Sequence, residues 1–135
     1  MNNTKKLSVV LVIDDEPIIL ETFKVIFQGH FKVLTAQNGK EALERIANNS
    51  IKLIFLDINI PGTTGIEILR RIKKYDENLP VIIVTAIENQ DTVIEANQLK
   101  IHSYISKPFD VNEVIALAHK AVKNDKLIRL GANKN

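Results

Sequence analysis

The sequence contains no cysteine among its 135 residues, no tryptophan, and only three histidines. The absence of cysteine excludes disulfide scaffolds, thiolate zinc sites and cysteine nucleophiles. The histidines, His30, His102 and His119, do not have the spacing of a metal-binding motif. No hydrophobic run approaches the ~20 residues that a membrane-spanning helix needs, and the apolar stretch near the amino terminus ends at Asp14. We therefore expect a cytoplasmic protein that does not contact a membrane.

The charge is nearly balanced, with 18 basic and 16 acidic residues and a net charge of +2. So weak a positive charge gives no reason to expect direct binding to nucleic acid. Apolar residues make up 45% of the chain and charged residues 25%, which is typical of a globular protein. Length favours one domain. We expect that domain over residues 7–123, followed by a short basic tail or the start of a linker over residues 124–135.

Five short apolar runs alternate with segments of helical periodicity. The runs over residues 7–13, 51–56 and 80–84 are nearly continuous in Val, Ile and Leu, which is typical of parallel strands buried on both faces. Two further strands are expected over residues 31–36 and 103–105. Alternating strands and helices predict a doubly wound (βα)₅ fold of the α/β class, with a five-stranded parallel sheet and helices on both faces.

Polar residues that can begin helices follow several of the predicted strands. Asp14 or Asp15 is expected to cap the first helix, and Asn38 and Asp110 to cap the second and the fifth. The fourth helix, expected over residues 88–99, has the fewest apolar positions. It should therefore be the most easily displaced element of the fold.

The ends of the predicted strands carry one set of chemically related side chains. Asp14 and Asp15 follow the first strand, Asp57 the third, Thr85 the fourth and Lys107 the fifth. Each residue alone has a structural interpretation, as a helix cap, a turn residue or a solvated lysine. Parallel strands, however, bring their carboxyl ends to one edge of the sheet, where ligands bind. Three neighbouring carboxylates repel one another unless a divalent cation such as Mg²⁺ neutralises them. An ammonium and a hydroxyl beside them favour phosphoryl chemistry on a carboxylate nucleophile.

At these positions the chain resembles the receiver domain of two-component response regulators, which has a flavodoxin-like fold. The resemblance covers about residues 7–123. The matching motifs are VIDDEP at residues 12–17, Asp57 with Pro61 and Gly65 after it, Thr85-Ala86, and YISKPF at residues 104–109.

The resemblance implies a role for each residue of the motifs. Asp57 matches the aspartate that accepts a phosphoryl group from a histidine kinase or a phosphotransfer protein. Asp15 matches a direct Mg²⁺ ligand, Asp14 an acid that acts through water, and the backbone carbonyl of Asn59 a further ligand. Lys107 matches the lysine that pairs with Asp57 and then with the phosphoryl oxygens.

The resemblance also implies a conformational switch. Thr85 matches the switch hydroxyl and Tyr104 the switch aromatic, and the Lys107–Pro108 peptide bond is expected to be cis. The face made by the fourth helix, the fifth strand and the fifth helix would signal to an effector, an output domain or a second copy of the chain. Apart from its own phosphotransfer and dephosphorylation, such a domain is not an enzyme.

The chain departs from the family pattern in two places: Ile60 replaces a methionine, and Lys100-Ile101 replaces a Gly-Ala pair. Asn59 occupies a position that modulates dephosphorylation in the family. Two alternatives remain at this point: a degenerate receiver that only binds partners, and a phosphatase of the haloacid-dehalogenase class. The latter needs Asp-x-Asp after its first strand, whereas Asp57-Ile58-Asn59 follows the third.

Overall fold

Five strands alternate with five helices along the chain. The computed structural model describes residues 6–60, 64–86 and 90–132, without the side chains of residue 90 and of residues 125–132. The elements are β1 (Val9–Ile13), α1 (Pro17–Ile26), β2 (Lys32–Ala36), α2 (Gly39–Asn48), β3 (Ile51–Leu56), α3 (Gly65–Tyr75), β4 (Val81–Thr85), α4 (Gln90–Gln98), β5 (Ser103–Ser106) and α5 (Val111–Ala132).

The strands form one parallel sheet in the order β2-β1-β3-β4-β5. The predicted doubly wound fold is therefore confirmed. From β1 the chain first crosses to β2 on one side and then returns to β3 on the other, so the direction of winding reverses between β1 and β3. In sheets of this kind the reversal opens a crevice at the carboxyl ends of the two strands.

Helices cover both faces of the sheet. One apolar layer lies between the sheet and helices α2, α3 and α4, and a second lies between the sheet and helices α1 and α5. Alternate residues of each strand enter alternate layers: Leu11 and Ile13 of β1 face the first, and Val10 and Val12 face the second. Burial on both faces explains why the strand segments are nearly continuous apolar runs in the sequence.

All five phenylalanines lie in the layer under α1 and α5. The ring of Phe23 contacts those of Phe27, Phe55 and Phe109 at centroid distances of 5.5, 4.9 and 5.4 Å. Phe31 extends the group through an edge contact with Phe27 at 5.2 Å. Offset and edge contacts of this kind stabilise a core beyond the area that they bury.

Two of the predicted helix caps are confirmed and one is wrong. The side chain of Asn38 accepts a hydrogen bond from Glu41 N at 2.9 Å, and Asp110 caps α5 through the backbone N–H of Asn112 at 2.8 Å. The first helix instead has Glu16 at its N-cap, without any side-chain cap. Neither Asp14 nor Asp15 caps it.

The ends of several elements differ from the sequence predictions. β1 begins at Val9 rather than at residue 7, and β4 extends to Thr85. α4 spans Gln90–Gln98, and the first residues predicted for it, 88 and 89, lie outside the described part of the chain. α5 continues to Ala132, so most of the predicted tail has a helical backbone. None of the described helices is both long enough and apolar enough to cross a membrane.

Candidate functional site

The backbone ladder places Asp14 and Asp57 side by side. Asp57 N donates to Ile13 O at 3.0 Å, and Asp14 N donates to Ala36 O at 3.0 Å, so pairing continues one residue past the strands. Both aspartates are almost completely buried, with 2% and 5% of their surface exposed. They therefore lie at the carboxyl ends of the two central strands β1 and β3, where the winding of the sheet reverses.

Lys107 contacts both carboxylates, although it lies 93 residues after Asp14 and 50 residues after Asp57 in the sequence. Its Nζ lies 2.8 Å from Asp14 Oδ2 and 3.0 Å from Asp57 Oδ2. The backbone aims the side chain inward: Lys107 N donates to Thr85 O at 3.0 Å, and the following peptide bond to Pro108 is cis, as expected. The lysine predicted from the strand ends thus contacts the predicted phosphoacceptor.

Glu16 contacts the same ammonium, and sequence reasoning missed it. Its Oε2 lies 2.8 Å from Lys107 Nζ, although about half of its side chain is exposed. A signal was present, since Glu16 is the third of three consecutive acidic residues after β1. Only the three-dimensional position of Lys107 shows that the third acid turns back to the site.

The contact of Asp14 with Lys107 also explains why the prediction that Asp14 caps α1 is wrong. Asp14 Oδ1 accepts the backbone N–H of Glu16 at 2.9 Å, while Oδ2 is held by the lysine. With both oxygens engaged, the side chain is not available to the N–H groups of the first turn of α1. The site chemistry therefore overrides the capping preference of an aspartate before a helix.

Burial and hydrogen bonding act in opposite directions on the charges of the site. Burial raises the pKa of Asp14 and outweighs the lowering by Lys107 and by the backbone N–H of Glu16. Burial alone would lower the pKa of Lys107, but its hydrogen bonds to Asp14, Glu16 and Asp57 raise the pKa well above its usual value. The lysine therefore stays charged, while Asp14 is ionised at a cost.

Four carboxylates converge at this edge of the sheet. Oxygens of Asp14, Asp15, Glu16 and Asp57 lie within 4.8 Å of one another. The charge of Lys107 offsets only one of the four. Hard carboxylate oxygens at this spacing are the donors that Mg²⁺ takes together with water, so the residues fit a magnesium ion.

A cleft opens over the acidic residues. Asp57 Oδ1 accepts the backbone N–H of Asn59 at 2.9 Å, which orients the carboxylate, and Thr85 is buried at the end of β4. The residues that line the cleft are Asp15, Glu16, Asp57, Asn59, Ile60, Thr85, Ala86 and Lys107. A tetrahedral anion that enters the cleft can therefore meet a carboxylate, an ammonium and a hydroxyl.

Thr85 and Tyr104 lie on the same face of the sheet. Tyr104 on β5 pairs in register with Ile83, two residues before Thr85 on β4. Tyr104 is half-buried against the layer under α2, α3 and α4. The structure thus brings the two predicted switch residues to neighbouring strands beside α4.

Comparison with known proteins finds a match to the family model described as response regulator receiver domain, over residues 10–119. Sporulation initiation phosphotransferase F of Bacillus subtilis (strain 168) is 37% identical over 106 residues, which cover 78% of this chain and 86% of that protein. The DNA-binding transcriptional regulator NtrC of Escherichia coli (strain K12) is 34% identical over 117 residues, 86% of this chain and 25% of the relative.

Solved structures agree with these matches. A response regulator receiver domain protein from Clostridium thermocellum has a TM-score of 0.84 at 34% identity, over 90% of this chain and 99% of that one. NtrX from Brucella abortus has a TM-score of 0.89 at 30% identity, over 96% of this chain but only 30% of that one.

The chain therefore spans most of one relative but only a quarter of NtrC. The match is to a family other than the haloacid-dehalogenase phosphatases, which removes that alternative. Fold, the Lys107 network and the family match over residues 10–119 agree, and the chain belongs to the response regulator receiver domain family.

Proposed function

We propose that the protein accepts a phosphoryl group on Asp57 from a histidine kinase or a phosphotransfer protein of a two-component system. The observation that carries the proposal is the contact of Asp57 Oδ2 with Lys107 Nζ at 3.0 Å, at the floor of an open, acidic cleft. A carboxylate held in this way is oriented for attack on phosphorus. Similarity to a protein named as a phosphotransferase supports the same reaction.

In the proposed transfer, an oxygen of Asp57 forms a bond to phosphorus as the bond between phosphorus and the donor's histidine nitrogen breaks. Asn59 N holds Asp57 Oδ1 at 2.9 Å, which fixes the carboxylate plane. Lys107 remains charged and can bind the phosphoryl oxygens, which bring negative charge to Asp57. Later attack by water on phosphorus breaks the bond to Asp57, restores the carboxylate and releases inorganic phosphate.

Mg²⁺ would be held by Asp14, Asp15, Asp57 and the backbone carbonyl of Asn59. When bound, the ion neutralises the acidic residues and the incoming phosphoryl group. Asp14 is the most buried of these carboxylates and already pairs with Lys107. Asp15 is the more accessible, which supports a direct role for Asp15 and a water-mediated one for Asp14.

The phosphoryl group would then act on the face made by α4, β5 and α5. A hydrogen bond from the Thr85 hydroxyl to the phosphoryl oxygen would draw Thr85 toward the cleft, and the ring of Tyr104 would turn into the space beside it. Because the phosphoryl group contacts the two arrangements differently, it shifts the population between them. The altered face would bind an effector, an output domain or a second copy of the chain.

The test is phosphorylation with acetyl phosphate and Mg²⁺, followed by intact-mass measurement. Wild type should gain one phosphoryl group that is labile to hydroxylamine, and Asp57→Asn should gain none. The Asp57 assignment is wrong if the variant is labelled as well as wild type. A wild type that neither gains a phosphoryl group nor binds beryllofluoride would instead support the degenerate receiver that only binds partners.

A further inference from the structure

Two histidines that the proposed phosphotransfer does not use lie side by side at the other end of the sheet. His30 follows α1 and comes just before β2, and His119 lies on α5. His30 Nδ1 and His119 Nε2 form a hydrogen bond of 2.9 Å although 89 residues separate them in sequence, so one of the two rings donates its N–H to the other. Both side chains are exposed, so solvent reaches the two nitrogens.

The turn after α1 fixes the position of His30. Gly29 has a φ of +82°, a left-handed conformation that glycine adopts without steric cost. His30 N donates to Phe27 O at 2.8 Å, and Phe31 N donates to the same carbonyl at 3.0 Å. The histidine is therefore presented by a hydrogen-bonded turn rather than by an unrestrained loop.

An aromatic contact fixes the position of His119. Its ring lies 4.7 Å from the ring of Phe31, with an interplanar angle of 37°. Phe31 is itself buried and packs against Phe27 in the core. The second histidine is thus held over a core side chain, and its Nε2 points at the turn that carries the first.

The separation of the two nitrogens suits a metal ion. With metal–imidazole bonds of about 2.0–2.1 Å, nitrogens 2.9 Å apart subtend an angle of about 90° at the ion. Square-planar and octahedral ions have this angle, and tetrahedral ions have a wider one. Among divalent ions with a preference for imidazole, Cu²⁺ and Ni²⁺ have such geometries.

The surroundings distinguish this pair from the acidic cleft. The hollow beside the histidines is lined by Lys6, Ser8 and Lys123, and no carboxylate is among its described lining residues. Hard cations such as Mg²⁺ are therefore disfavoured here because they need oxygen ligands, whereas Lys6 and Lys123 repel every divalent ion alike. Burial and the neighbouring His30 lower the pKa of His119, which favours the neutral ring that a metal needs.

We propose that His30 and His119 form a two-histidine chelate for Cu²⁺ or Ni²⁺. The ion would exchange two of its waters for His30 Nδ1 and His119 Nε2, and solvent would complete its coordination. Before the ion binds, one of these two nitrogens carries the proton of their hydrogen bond. That ring passes the proton through water to its other nitrogen as the ion binds, so each neutral ring keeps one proton, on Nε2 of His30 and on Nδ1 of His119. Such an ion would join α5 to the turn before β2 and stabilise the folded state by mass action.

The test is calorimetric titration of Ni²⁺ into untagged protein with excess Mg²⁺, which fills the acidic cleft. Wild type and His102→Gln, the control at the third histidine, should each bind one Ni²⁺ ion. His30→Gln and His119→Gln should each bind it about tenfold more weakly or worse, because one ligand of the chelate is lost. If wild type does not bind Ni²⁺, or if either variant binds it as wild type does, the chelate does not exist.

Thermal unfolding supplies a second measurement that needs no assumption about stoichiometry. Ni²⁺ should raise the midpoint of wild type and of His102→Gln, and the increase should be smaller in His30→Gln and His119→Gln. Acidification should abolish the effect, since protons compete for the same nitrogens. An equal increase in all four proteins would place the ion elsewhere and overturn the proposal.

Discussion

At the scale of single residues, Gly65 shows how closely the backbone fits around the site. It begins α3, and its N–H donates to Ile58 O at 2.9 Å, in the loop that carries Asp57 and Asn59. A Cβ at Gly65 would lie 2.3 Å from Ile58 Cα and 2.6 Å from Ile58 O. These are backbone atoms, so no side-chain rotation can relieve the clash.

Gly65→Ala should therefore lower the free energy of unfolding by about 3 kcal/mol, at the upper end of overpacking effects. Urea unfolding measures this loss, and labelling by acetyl phosphate should slow because the loop after Asp57 must move. Gly39→Ala is the matched control at the start of α2. Its Cβ would meet only the Ile68 side chain, at 3.2 Å, and we expect a change within about 0.5 kcal/mol. Equal stability of the two variants would contradict the role of the close approach.

Lys100 occupies the backbone conformation of a glycine. Its φ of 61° lies in the left-handed region, which costs a side-chain-bearing residue about 1–2 kcal/mol. Glycine, which the family commonly has at this position, would adopt the same conformation without steric cost. Ile101, which follows, is half-buried against the α2–α3–α4 layer.

Lys100→Gly should accordingly raise the free energy of unfolding by about 1 kcal/mol, less the entropy that glycine adds to the unfolded chain. Lys100→Ala removes the same charge but keeps a Cβ, so it should give no comparable gain. Chemical denaturation of the three proteins at one pH is the measurement. A gain of equal size in the alanine variant would mean that the charge, and not the backbone conformation, is responsible.

Much of the site could be predicted at this scale, because its members follow strands. Asp14 and Asp57 each come directly after an apolar run, Lys107 comes directly after β5, and a parallel sheet brings such positions together. The Glu16 contact could not be predicted, because it depends on the path of a lysine side chain from β5. The meeting of His30 with His119 depends equally on how α5 packs beside α1.

At the scale of elements, α4 is held less firmly than the other helices. Among its described side chains Ala96 alone is buried, whereas α3 buries four apolar side chains. An exposed ion pair between Arg70 of α3 and Glu95 links the two helices. Exposed ion pairs contribute at most about 1 kcal/mol, so α4 can move without a large loss of packing.

This weak attachment makes the proposed switch testable by amide exchange. Beryllofluoride, a stable analogue of the phosphoryl group, should change protection in wild type both around Asp57 and over residues 90–109. Thr85→Ala should still take up the analogue, but the change over residues 90–109 should shrink, because no hydroxyl draws β4 toward the cleft. Thr22→Ala, which removes a hydroxyl on α1 that does not line the cleft, is the control and should behave as wild type.

Two results would contradict the switch. Protection changes in wild type could stay within the loops around Asp57, which would mean that the phosphoryl signal does not reach the face of α4, β5 and α5. Alternatively, Thr85→Ala could transmit the change as fully as wild type, which would assign the coupling to another group.

The elements themselves were predictable where local sequence decides them. Asn38 and Asp110 cap their helices as their positions predict, since the interactions lie within one turn. The order of strands in the sheet and the continuation of α5 to Ala132 were not predicted. The segment from Asn124 onward also contains Leu127, Ile128 and Leu130, but its basic residues led us to expect a tail or linker instead of a longer helix.

At the scale of the whole molecule, the site that is proposed to carry phosphotransfer works against stability. The interior is apolar on both faces of the sheet, yet Asp14 and Asp57 are buried at its edge with a single lysine between them. Removing ionised carboxylates from water is costly, and hydrogen bonds to Lys107 recover only part of the cost. The fold therefore holds an acidic cluster that a cation or a phosphoryl group with Mg²⁺ can relieve.

The pH dependence of stability should reveal this cost through Asp14. Burial raises its pKa in the folded state above the ordinary value of 3.8, so the folded protein keeps the proton to higher pH than the unfolded chain. Between the two pKa values the folded state binds more protons, and its stability must fall as pH rises. Asp14→Asn has no such proton to lose. The free energy of unfolding of the variant minus that of wild type should therefore increase as pH rises from about 4 through the raised pKa of Asp14. Above that pKa the difference should stay constant.

Urea unfolding with EDTA, from about pH 4 to about pH 7, measures the difference between the two proteins. Glu21→Gln, which neutralises an exposed carboxylate on α1, should run parallel to wild type over the same range. Saturating Mg²⁺ should narrow the gap between wild type and Asp14→Asn, because an ion in the proposed site would bind the folded wild type and offset the charge that the variant lacks. Parallel curves for wild type and Asp14→Asn would show that the buried carboxylate carries no net cost, since Lys107 would then compensate it completely.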